Sequence, residues 1–221
     1  MAVAAHLGIP LREYDVRIRT FIPDYTVMLS VAAGALGAAT RPVTLIVDLG
    51  IGSGALALRC VKAQPGSAVV GIDEDERMLE LAQRRLRGFP AAFVRGDFTG
   101  TPLPRADVVT ASFALHHVAT RRAKLTLYRR VHRALRPGGV FVNADCCTAG
   151  STALQARDGL AWRAHLERTY SRRQSEAFLR AWAREDVYLP LTDELVILRA
   201  AGFKPDVVWR KGAFAVIAAT R

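Results

Sequence analysis

The chain has 221 residues, and its 51% hydrophobic and 23% charged residues indicate a globular protein with a sizeable core rather than a disordered or fibrous one. Its formal net charge of +11 is compatible with nucleic acid, an anionic membrane or an acidic substrate as a partner. Because the arginines are spread along most of the chain, nucleic-acid binding is kept only as the less favoured alternative.

The predicted elements begin with a helix over 24–36, for which Asp24 is a candidate N-cap after Pro23. Strand-like and helix-like segments then alternate, which is typical of a parallel sheet with helices on both faces. The predicted strands are 44–49, 68–72, 92–95, 106–111, 140–146, 206–210 and 213–219, and the predicted helices are 54–63, 75–87, 121–135 and 192–201.

Two turns set the connections near the carboxyl end. The run Pro137-Gly138-Gly139 ends the third of these helices and starts the fifth strand. Only Lys211-Gly212 separates the last two strands, which predicts a hairpin and an antiparallel last strand. The fold class is therefore α/β, with a Rossmann-like, mostly parallel sheet of seven strands.

The segment 151–186 lacks strand signals and is predicted to form one or two helices inserted after the fifth strand, as a lid-like cover. Four aromatic residues in it have helix-compatible spacings of eight, eight and four. Such a stripe is either core or, if part of it faces the cleft, an apolar substrate wall. The four residues are Trp162, Tyr170, Phe178 and Trp182.

The three cysteines form neither an even disulfide framework nor a paired C-x-x-C metal motif, which favours a reducing, cytoplasmic location. They are Cys60, Cys146 and Cys147. Proline and charged residues from Pro10 onward interrupt any apolar core near the amino terminus, so we expect no signal peptide. The small-residue run AAGALGAAT is too short to span a bilayer, so we expect no membrane partner.

The stretch TLIVDLGIGSGALAL, residues 44–58, joins a buried strand, a glycine turn and a helix. Asp48 ends the strand, and Gly50, Gly52 and Gly54 form the turn. Glycines let a backbone approach a ligand closely, and a helix amino terminus favours negative charge. The turn therefore predicts a ligand site, while Asp48 is expected to hold the turn through hydrogen bonds to its amides.

The ligand is not fixed by this turn alone. Gly50, Gly52 and Ala55 formally satisfy the dinucleotide pattern G-x-G-x-x-A, and Asp73 at the end of the second strand can bind ribose hydroxyls. Both features are shared by NAD binders and other adenosine binders. A dehydrogenase is the weaker alternative, because nothing in the sequence resembles a hydride-transfer site.

Four motifs in order narrow the choice: DLGIGSG, Gly96-Asp97-Phe98 after the third strand, the RPGG turn and the closing hairpin. Together they resemble class I S-adenosylmethionine-dependent methyltransferases, over roughly residues 40 to 221. The resemblance implies S-adenosylmethionine as cofactor. It also implies a domain over 41–221, preceded by a helical extension, 1–40, that covers cofactor or substrate.

The resemblance assigns positions along the cofactor. Its methionine part is expected at the glycine turn, its ribose at the end of the second strand, its adenine after the third strand and its sulfonium after the fourth. The implied cofactor-binding residues are Tyr25, Asp48, Gly50, Ile51, Gly52, Asp73, Glu74, Asp97, Phe98 and Ser112. The family often has Cys where this chain has Ile51, an apolar change expected to be harmless.

The stretch RTFIPDYTVML resembles the IP-x-Y element of a subset that includes carboxy-S-adenosylmethionine synthases of tRNA modification. In that subset the Tyr contacts the cofactor, which implies the same for Tyr25; a core-facing position is the alternative. The synthase also needs an Arg for the extra carboxylate. Arg180 and Arg184 are nearby but do not map cleanly, and the stretch ASFALHHV is closer to ordinary methyltransferases.

Catalytic candidates are few, because an in-line displacement mainly needs positioning. His116 or His117 could act as a general base, and Asp145 could either orient the acceptor or cap the loop after its strand. No acidic or cysteine cluster accompanies the histidine pair in the sequence, so no metal site is predicted.

The sequence therefore predicts methyl transfer to a small molecule by in-line displacement, without predicting the acceptor or the oligomeric state. The alternatives are a carboxy-S-adenosylmethionine synthase-like or tRNA-modifying enzyme, and a non-catalytic cofactor-binding module. Lack of an N/D-P-P-Y element after the fourth strand argues against base N-methylation.

Overall fold

The computed structural model describes residues 10–221, apart from the side chain of Arg12; the first nine residues of the predicted extension lie outside the described part. Within that part the strands are β1 (Leu45–Leu49), β2 (Ala68–Asp73), β3 (Ala91–Arg95), β4 (Ala106–Ser112), β5 (Leu135–Cys146), β6 (Lys204–Lys211) and β7 (Phe214–Thr220). The helices there are α1 (Tyr14–Phe21), α2 (Tyr25–Gly34), α3 (Ala55–Ala63), α4 (Glu76–Arg85), α5 (Arg121–Ala134), α6 (Thr152–Leu166), α7 (Arg172–Glu185) and α8 (Leu191–Ala200).

The seven strands form one sheet in the order β3-β2-β1-β4-β5-β7-β6. The pairs up to β4–β5 are parallel, whereas β7 is antiparallel to both β5 and β6. The predicted fold class is thereby confirmed, including the closing hairpin. The order reverses between β1 and β4, and ligands of open α/β sheets bind beyond the carboxyl ends of strands at such a point.

Separate apolar clusters cover the two faces of the sheet. One contains the buried residues of α1 to α4 and of the inserted helices, including Phe21, Met28 and Trp162. The other contains the buried faces of α5 and α8, including Tyr128 and Leu198. Because α1 and α2 belong to the first cluster, the amino-terminal helices are part of the core.

The insertion after β5 consists of the two helices α6 and α7. Their N-caps are Ser151 and Ser171, whose hydroxyls accept hydrogen bonds from Leu154 N and Gln174 N. Tyr170 lies between the helices, so the predicted aromatic stripe is divided over two elements. The prediction of one or two helices is confirmed, whereas a lid function stays a prediction.

Two local expectations need correction. Asp24 stands at the N-cap position of α2, but its φ is +52° and its side chain makes no capping hydrogen bond; its carboxylate pairs with Lys211 instead. The strand β5 begins at Leu135, before the Pro-Gly-Gly turn, because the register against β4 shifts there and Gly138 adopts φ +80°.

Among the described residues, no single helix is both long and apolar enough to cross a membrane. The helices α1 and α2, taken together through Ala38, meet the criteria of length and composition, but they are bent by 97° at their break. Met28 and Leu29 of α2 are fully buried in the core.

Candidate functional site

The turn after β1 is a close backbone crossing that only glycine fits. Gly50, Gly52 and Gly54 have φ values of +64°, +53° and +77°. A Cβ at Gly50 would lie 2.6 Å from Ala114 Cβ, which belongs to the segment after β4. The turn and that segment therefore meet at the strand-order reversal, where the fold predicts a ligand.

Ile51 extends from this turn toward β2 and occupies space that a side chain at position 71 would need. A Cβ at Gly71 would lie 2.3 Å from Ile51 Cδ1. Ile51 is buried, and its amide donates to Ile72 O at 3.0 Å. The larger apolar residue at position 51 is thus matched by a glycine on the neighbouring strand.

The carboxylate of Asp73, at the end of β2, holds the glycine turn in place. Its Oδ2 accepts a hydrogen bond from Gly52 N at 2.8 Å, and its Oδ1 accepts from Asp75 N at 3.0 Å. Burial raises the pKa of Asp73, and the two amide hydrogen bonds oppose that rise. The side chain also borders the cavity described next.

Asp48 does not play the part that the sequence predicted. It is 1% exposed, does not border the cavity, and accepts a hydrogen bond from Thr110 Oγ1 at 2.7 Å. Its other oxygen has no hydrogen-bond partner, and burial raises its pKa to about 7. The prediction that Asp48 accepts hydrogen bonds from the turn amides is wrong, because the amide of Gly52 donates to Asp73 instead.

A cavity of about 460 Å³ opens above the glycine turn. This volume lies within the range of about 300–1,000 Å³ typical of small-molecule sites. Of the ten predicted cofactor-binding residues, all except Asp48 line it: Tyr25, Gly50, Ile51, Gly52, Asp73, Glu74, Asp97, Phe98 and Ser112. The fold therefore brings together residues from four strand ends and from the amino-terminal helices.

The charged side chains that line the cavity are negative. Four of the described residues that line it are acidic, and none is Lys or Arg. The acidic residues are Asp73, Glu74, Asp97 and Glu185. Asp97 accepts hydrogen bonds from the amide and the hydroxyl of Thr99, which fixes the turn after β3. Such a wall favours a ligand that carries positive charge.

The amino-terminal helices form one side of the cavity through two buried tyrosines. Tyr25 begins α2 and packs its ring 5.7 Å from that of Phe113, while Tyr14 at the start of α1 lines the cavity beside it. Burial raises the pKa of Tyr25 to about 12. Tyr14 was not predicted as a site residue, because nothing local marks which residue of a short helix faces a distant cleft.

The histidine pair lies at the edge of this cavity and is bound by two carboxylates. His116 Nδ1 is 2.6 Å from Asp145 Oδ1, and Asp145 Oδ2 accepts from the amides of Leu115 and His116 at 3.0 and 3.1 Å. Asp145 thus anchors the short helical turn Leu115–His117, and its Oδ1 also accepts from Cys146 N at 2.8 Å at the end of its own strand. His117 borders the cavity, while His116 is buried behind it.

Asp186, immediately after α7, completes this group. Its Oδ1 lies 3.1 Å from His117 Nδ1 and 3.8 Å from His116 Nε2. Burial by itself would lower the pKa of His116, but the carboxylates of Asp145 and Asp186 outweigh it and raise that pKa. Asp186 was not predicted as a site residue, because it reaches the histidines only through the folding of the insertion.

A second, smaller cavity of about 50 Å³ adjoins the first, and Tyr14, Phe113 and His117 border both. We call it the aromatic chamber, since rings line most of it: Tyr14, Phe21, Phe113, Trp162, Trp182, Tyr188 and Phe214. His116, His117 and Asp186 line its polar side.

The insertion closes the aromatic chamber by packing on α1. Trp162 Nε1 donates to Phe21 O at 2.8 Å, and the rings of Trp162 and Trp182 stack 5.4 Å apart. Both tryptophans line the chamber, whereas Tyr170 and Phe178 pack on Phe21 outside it. The aromatic stripe is therefore partly core and partly cavity wall, and a role of that wall in substrate binding stays a prediction.

The arginines considered for an extra carboxylate lie elsewhere. Arg180 is 64% exposed and pairs with Glu176 one turn earlier on α7. Arg184 is exposed, and neither residue lines either cavity.

Comparisons with known proteins agree with this architecture. The sequence profile of the family described as "Methyltransferase domain" matches residues 46–139. The carboxy-S-adenosyl-L-methionine synthase of Marinobacter nauticus is 29% identical over 208 residues, which cover 90% of this chain and 82% of that protein. The acetylserotonin O-methyltransferase of Rattus norvegicus is 38% identical over 110 residues, or 48% of this chain and 25% of the relative.

Among solved structures, human N-acetylserotonin methyltransferase in complex with SAM superposes with a TM-score of 0.62 at 23% identity. The match covers 89% of this chain and 52% of the human one, and at that identity it shows the fold. The chain spans only part of several relatives, including 57% of the carboxy-S-adenosyl-L-methionine synthase of Hydrogenovibrio crunogenus.

Proposed function

Because this chain belongs to the class I S-adenosylmethionine-dependent methyltransferases, we propose that it transfers a methyl group from S-adenosylmethionine to a small-molecule acceptor. The observation that carries the proposal is the acidic wall of the larger cavity, with four carboxylates and no described Lys or Arg. A sulfonium and an α-ammonium group match such a wall. The pyrophosphate of a dinucleotide would lie against carboxylates without a cation.

The residues of the cavity divide the binding work. Asp73 presents carboxylate oxygens at the ribose position while it keeps the turn amide of Gly52 in place. The close crossing of Gly50 and Ala114 leaves the backbone of the turn open to the methionine part. Phe98 lines the adenine end, and Tyr14 and Tyr25 close the cavity from above and exclude water. We therefore propose that the nine predicted residues that line the cavity bind the cofactor.

S-Adenosylmethionine supplies an activated methyl group, so the chain mainly has to align the acceptor about 3 to 3.5 Å from that carbon. We place the acceptor at the junction of the two cavities, which Tyr14, Phe113 and His117 share. Phe113 adopts φ +49°, a strained conformation that holds its ring between those of Tyr25 and Phe214. The rings exclude water from the acceptor, while His116, His117, Asp145 and Asp186 provide the groups that can remove its proton.

A transfer assay tests this function. Protein is incubated with S-[methyl-³H]adenosylmethionine and fractionated small-molecule extracts, and label in the extract is counted after removal of protein and cofactor. We expect label in one small-molecule fraction. Label only in tRNA, with binding that weakens steeply as salt rises, would support the tRNA-modifying alternative instead.

A carboxy-S-adenosylmethionine synthase-like activity is the second candidate, because the Marinobacter nauticus synthase matches along 82% of its length. Against it, no described Lys or Arg lines the cavity to neutralise the extra carboxylate of that product. Mass spectrometry of the cofactor that copurifies separates the two. We expect S-adenosylmethionine or S-adenosylhomocysteine, and a carboxylated sulfonium would favour the synthase.

A further inference from the structure

The polar side of the aromatic chamber contains three side chains that can bind a metal together. One ligand atom from each of His116, His117 and Asp186 lies within 4.8 Å of the others. We propose that these three residues form a binding site for a divalent first-row cation of the Zn²⁺ class. This proposal departs from the sequence-based expectation, which found no acidic residue near the histidine pair.

The distances suit one small ion. Zn²⁺ binds nitrogen and oxygen ligands at about 2.0–2.2 Å, so two ligands in a tetrahedral site lie about 3.4 Å apart. Asp186 Oδ1 lies 3.1 Å from His117 Nδ1 and 3.8 Å from His116 Nε2. Shifts of a few tenths of an ångström bring both pairs to the required separation.

The surroundings supply the second layer that metal sites need. Ligating histidines usually give their other ring nitrogen to a carboxylate, which fixes the tautomer. His116 Nδ1 is 2.6 Å from Asp145 Oδ1, so its Nε2 is left for an ion. Tyr188 donates its hydroxyl to Asp186 Oδ2 at 2.5 Å, which orients that carboxylate in the same way.

Charge favours a cation at this place. The side chains of Asp145 and Asp186 are each only 3% exposed, and buried carboxylates need positive partners. With both histidines neutral, a divalent ion balances the two carboxylates. Three protein ligands also leave a tetrahedral position open, as in catalytic rather than structural zinc sites.

Two backbone segments hold the ligands together. The short helical turn Leu115–His117 carries both histidines, whose rings lie 4.2 Å apart, and Val187 N donates to His116 O at 2.9 Å. Asp186 is therefore fixed to the histidine turn by its neighbour's amide. If the proposed methyl transfer holds, an ion here would bind the acceptor oxygen and lower the pKa of its hydroxyl, so that solvent water rather than a metal-bound histidine takes the proton.

Titration of chelator-treated full-length protein with Zn²⁺ tests the site, with Co²⁺ as an optical probe. We expect one ion per chain and the intense visible absorption of tetrahedral Co²⁺. Asp186→Asn should abolish the stoichiometric binding, and Asp145→Asn should weaken it about 10- to 100-fold through His116. His132→Gln, a histidine of α5 outside the group, and Asp193→Asn on α8 serve as controls and should bind as the wild type does.

The proposal is overturned if wild-type protein shows no stoichiometric Zn²⁺ heat, or if Asp186→Asn binds Zn²⁺ as tightly as the controls. Should Asp186→Asn not fold, the Co²⁺ spectrum of the wild type decides, because an octahedral, weak spectrum contradicts the site. S-Adenosylmethionine binding by metal-free protein is measured alongside. If it persists while Zn²⁺ binding is absent, the metal proposal fails and the proposed cofactor site stands.

Discussion

The two cavities are built in different ways. We call the larger cavity the cofactor cavity, after its proposed ligand. It lies at the ends of β1, β2, β3 and β4, and its glycine turn is contained in one short stretch of sequence. The aromatic chamber is built from large side chains of α1, the insertion and β7, which are far apart in the sequence. The glycine turn of the first cavity is therefore visible as a local sequence motif, whereas the second cavity depends on tertiary packing throughout.

The largest expected effect falls on the aromatic chamber. Trp162→Ala removes the hydrogen bond to Phe21 O and the stack on Trp182, and we expect a loss of about 3–5 kcal/mol in the free energy of unfolding. Urea denaturation measures it, with Leu160→Ala, a 56% exposed position on the same helix, as the matched control. Cofactor affinity should change little. A loss of affinity as large as that expected from altering the glycine turn would show that the two cavities are not independent.

Beneath the cofactor cavity, Asp48 is expected to make stability depend on pH. Its pKa is about 7 in the folded chain against 3.8 ordinarily, so the folded state holds a proton that the unfolded state releases between those values. Stability should therefore fall as pH rises through this window, by as much as about 4 kcal/mol.

Asp48→Asn removes the titrating group while its amide oxygen can still accept from Thr110. We expect the variant to gain stability over the wild type at pH 8 and to gain little at pH 4, in thermal melts at both values. Asp107→Asn is a control with the opposite pH dependence. The pKa of Asp107 is lowered to about 2, because hydrogen bonds from Arg136 and Thr44 outweigh burial, so the stability that Asp107 contributes is lost on acidification. Equal shifts at both pH values for Asp48→Asn would contradict the assignment.

The match between Ile51 and Gly71 predicts that substitutions at these two positions are energetically coupled. Gly71→Ala places a Cβ 2.3 Å from Ile51 Cδ1, and overpacking of this kind lowers the free energy of unfolding by about 1–3 kcal/mol, as measured by urea denaturation. Adding Ile51→Ala should recover part of that loss, so a double-mutant cycle should show clear coupling. Gly37→Ala, with no atom within 4 Å of its added Cβ, is the control. Additive effects would refute the proposed match.

A smaller effect is expected where α1 meets the glycine turn. Asp15 of α1 accepts hydrogen bonds from Ser53 of the glycine turn and from Arg85 of α4. Arg85→Ala should loosen α1 and weaken cofactor affinity a few-fold, about 1 kcal/mol, as measured by calorimetry. Arg84→Ala, an exposed neighbour on the same helix, should have no such effect. An unchanged affinity in Arg85→Ala would show that α1 is held without this contact.

The contrast between a local motif and tertiary packing also explains which features could be predicted from the sequence. All seven predicted strands are present, because apolar runs and turn residues are local signals, although β5 begins five residues earlier than the predicted 140. Nine cofactor-cavity residues followed from the family resemblance. Asp48 did not behave as predicted, since sequence cannot tell which of two carboxylates at neighbouring strand ends binds the turn. Tyr14 and Asp186 were missed because only packing brings them to the cavities.

Calorimetric titration of wild type and Asp73→Ala with S-adenosylmethionine tests whether the cavity above the glycine turn is the cofactor site. Loss of the carboxylate removes the hydrogen bond to the turn and the one proposed to the ribose, and two such bonds of about 1.5–3 kcal/mol each correspond to a fall in affinity of at least about 100-fold. Asp193→Ala, a carboxylate outside the cavity, should bind like the wild type, and NAD should not compete. A wild-type titration with no heat above buffer, or displacement of the ligand by NAD, would contradict the account.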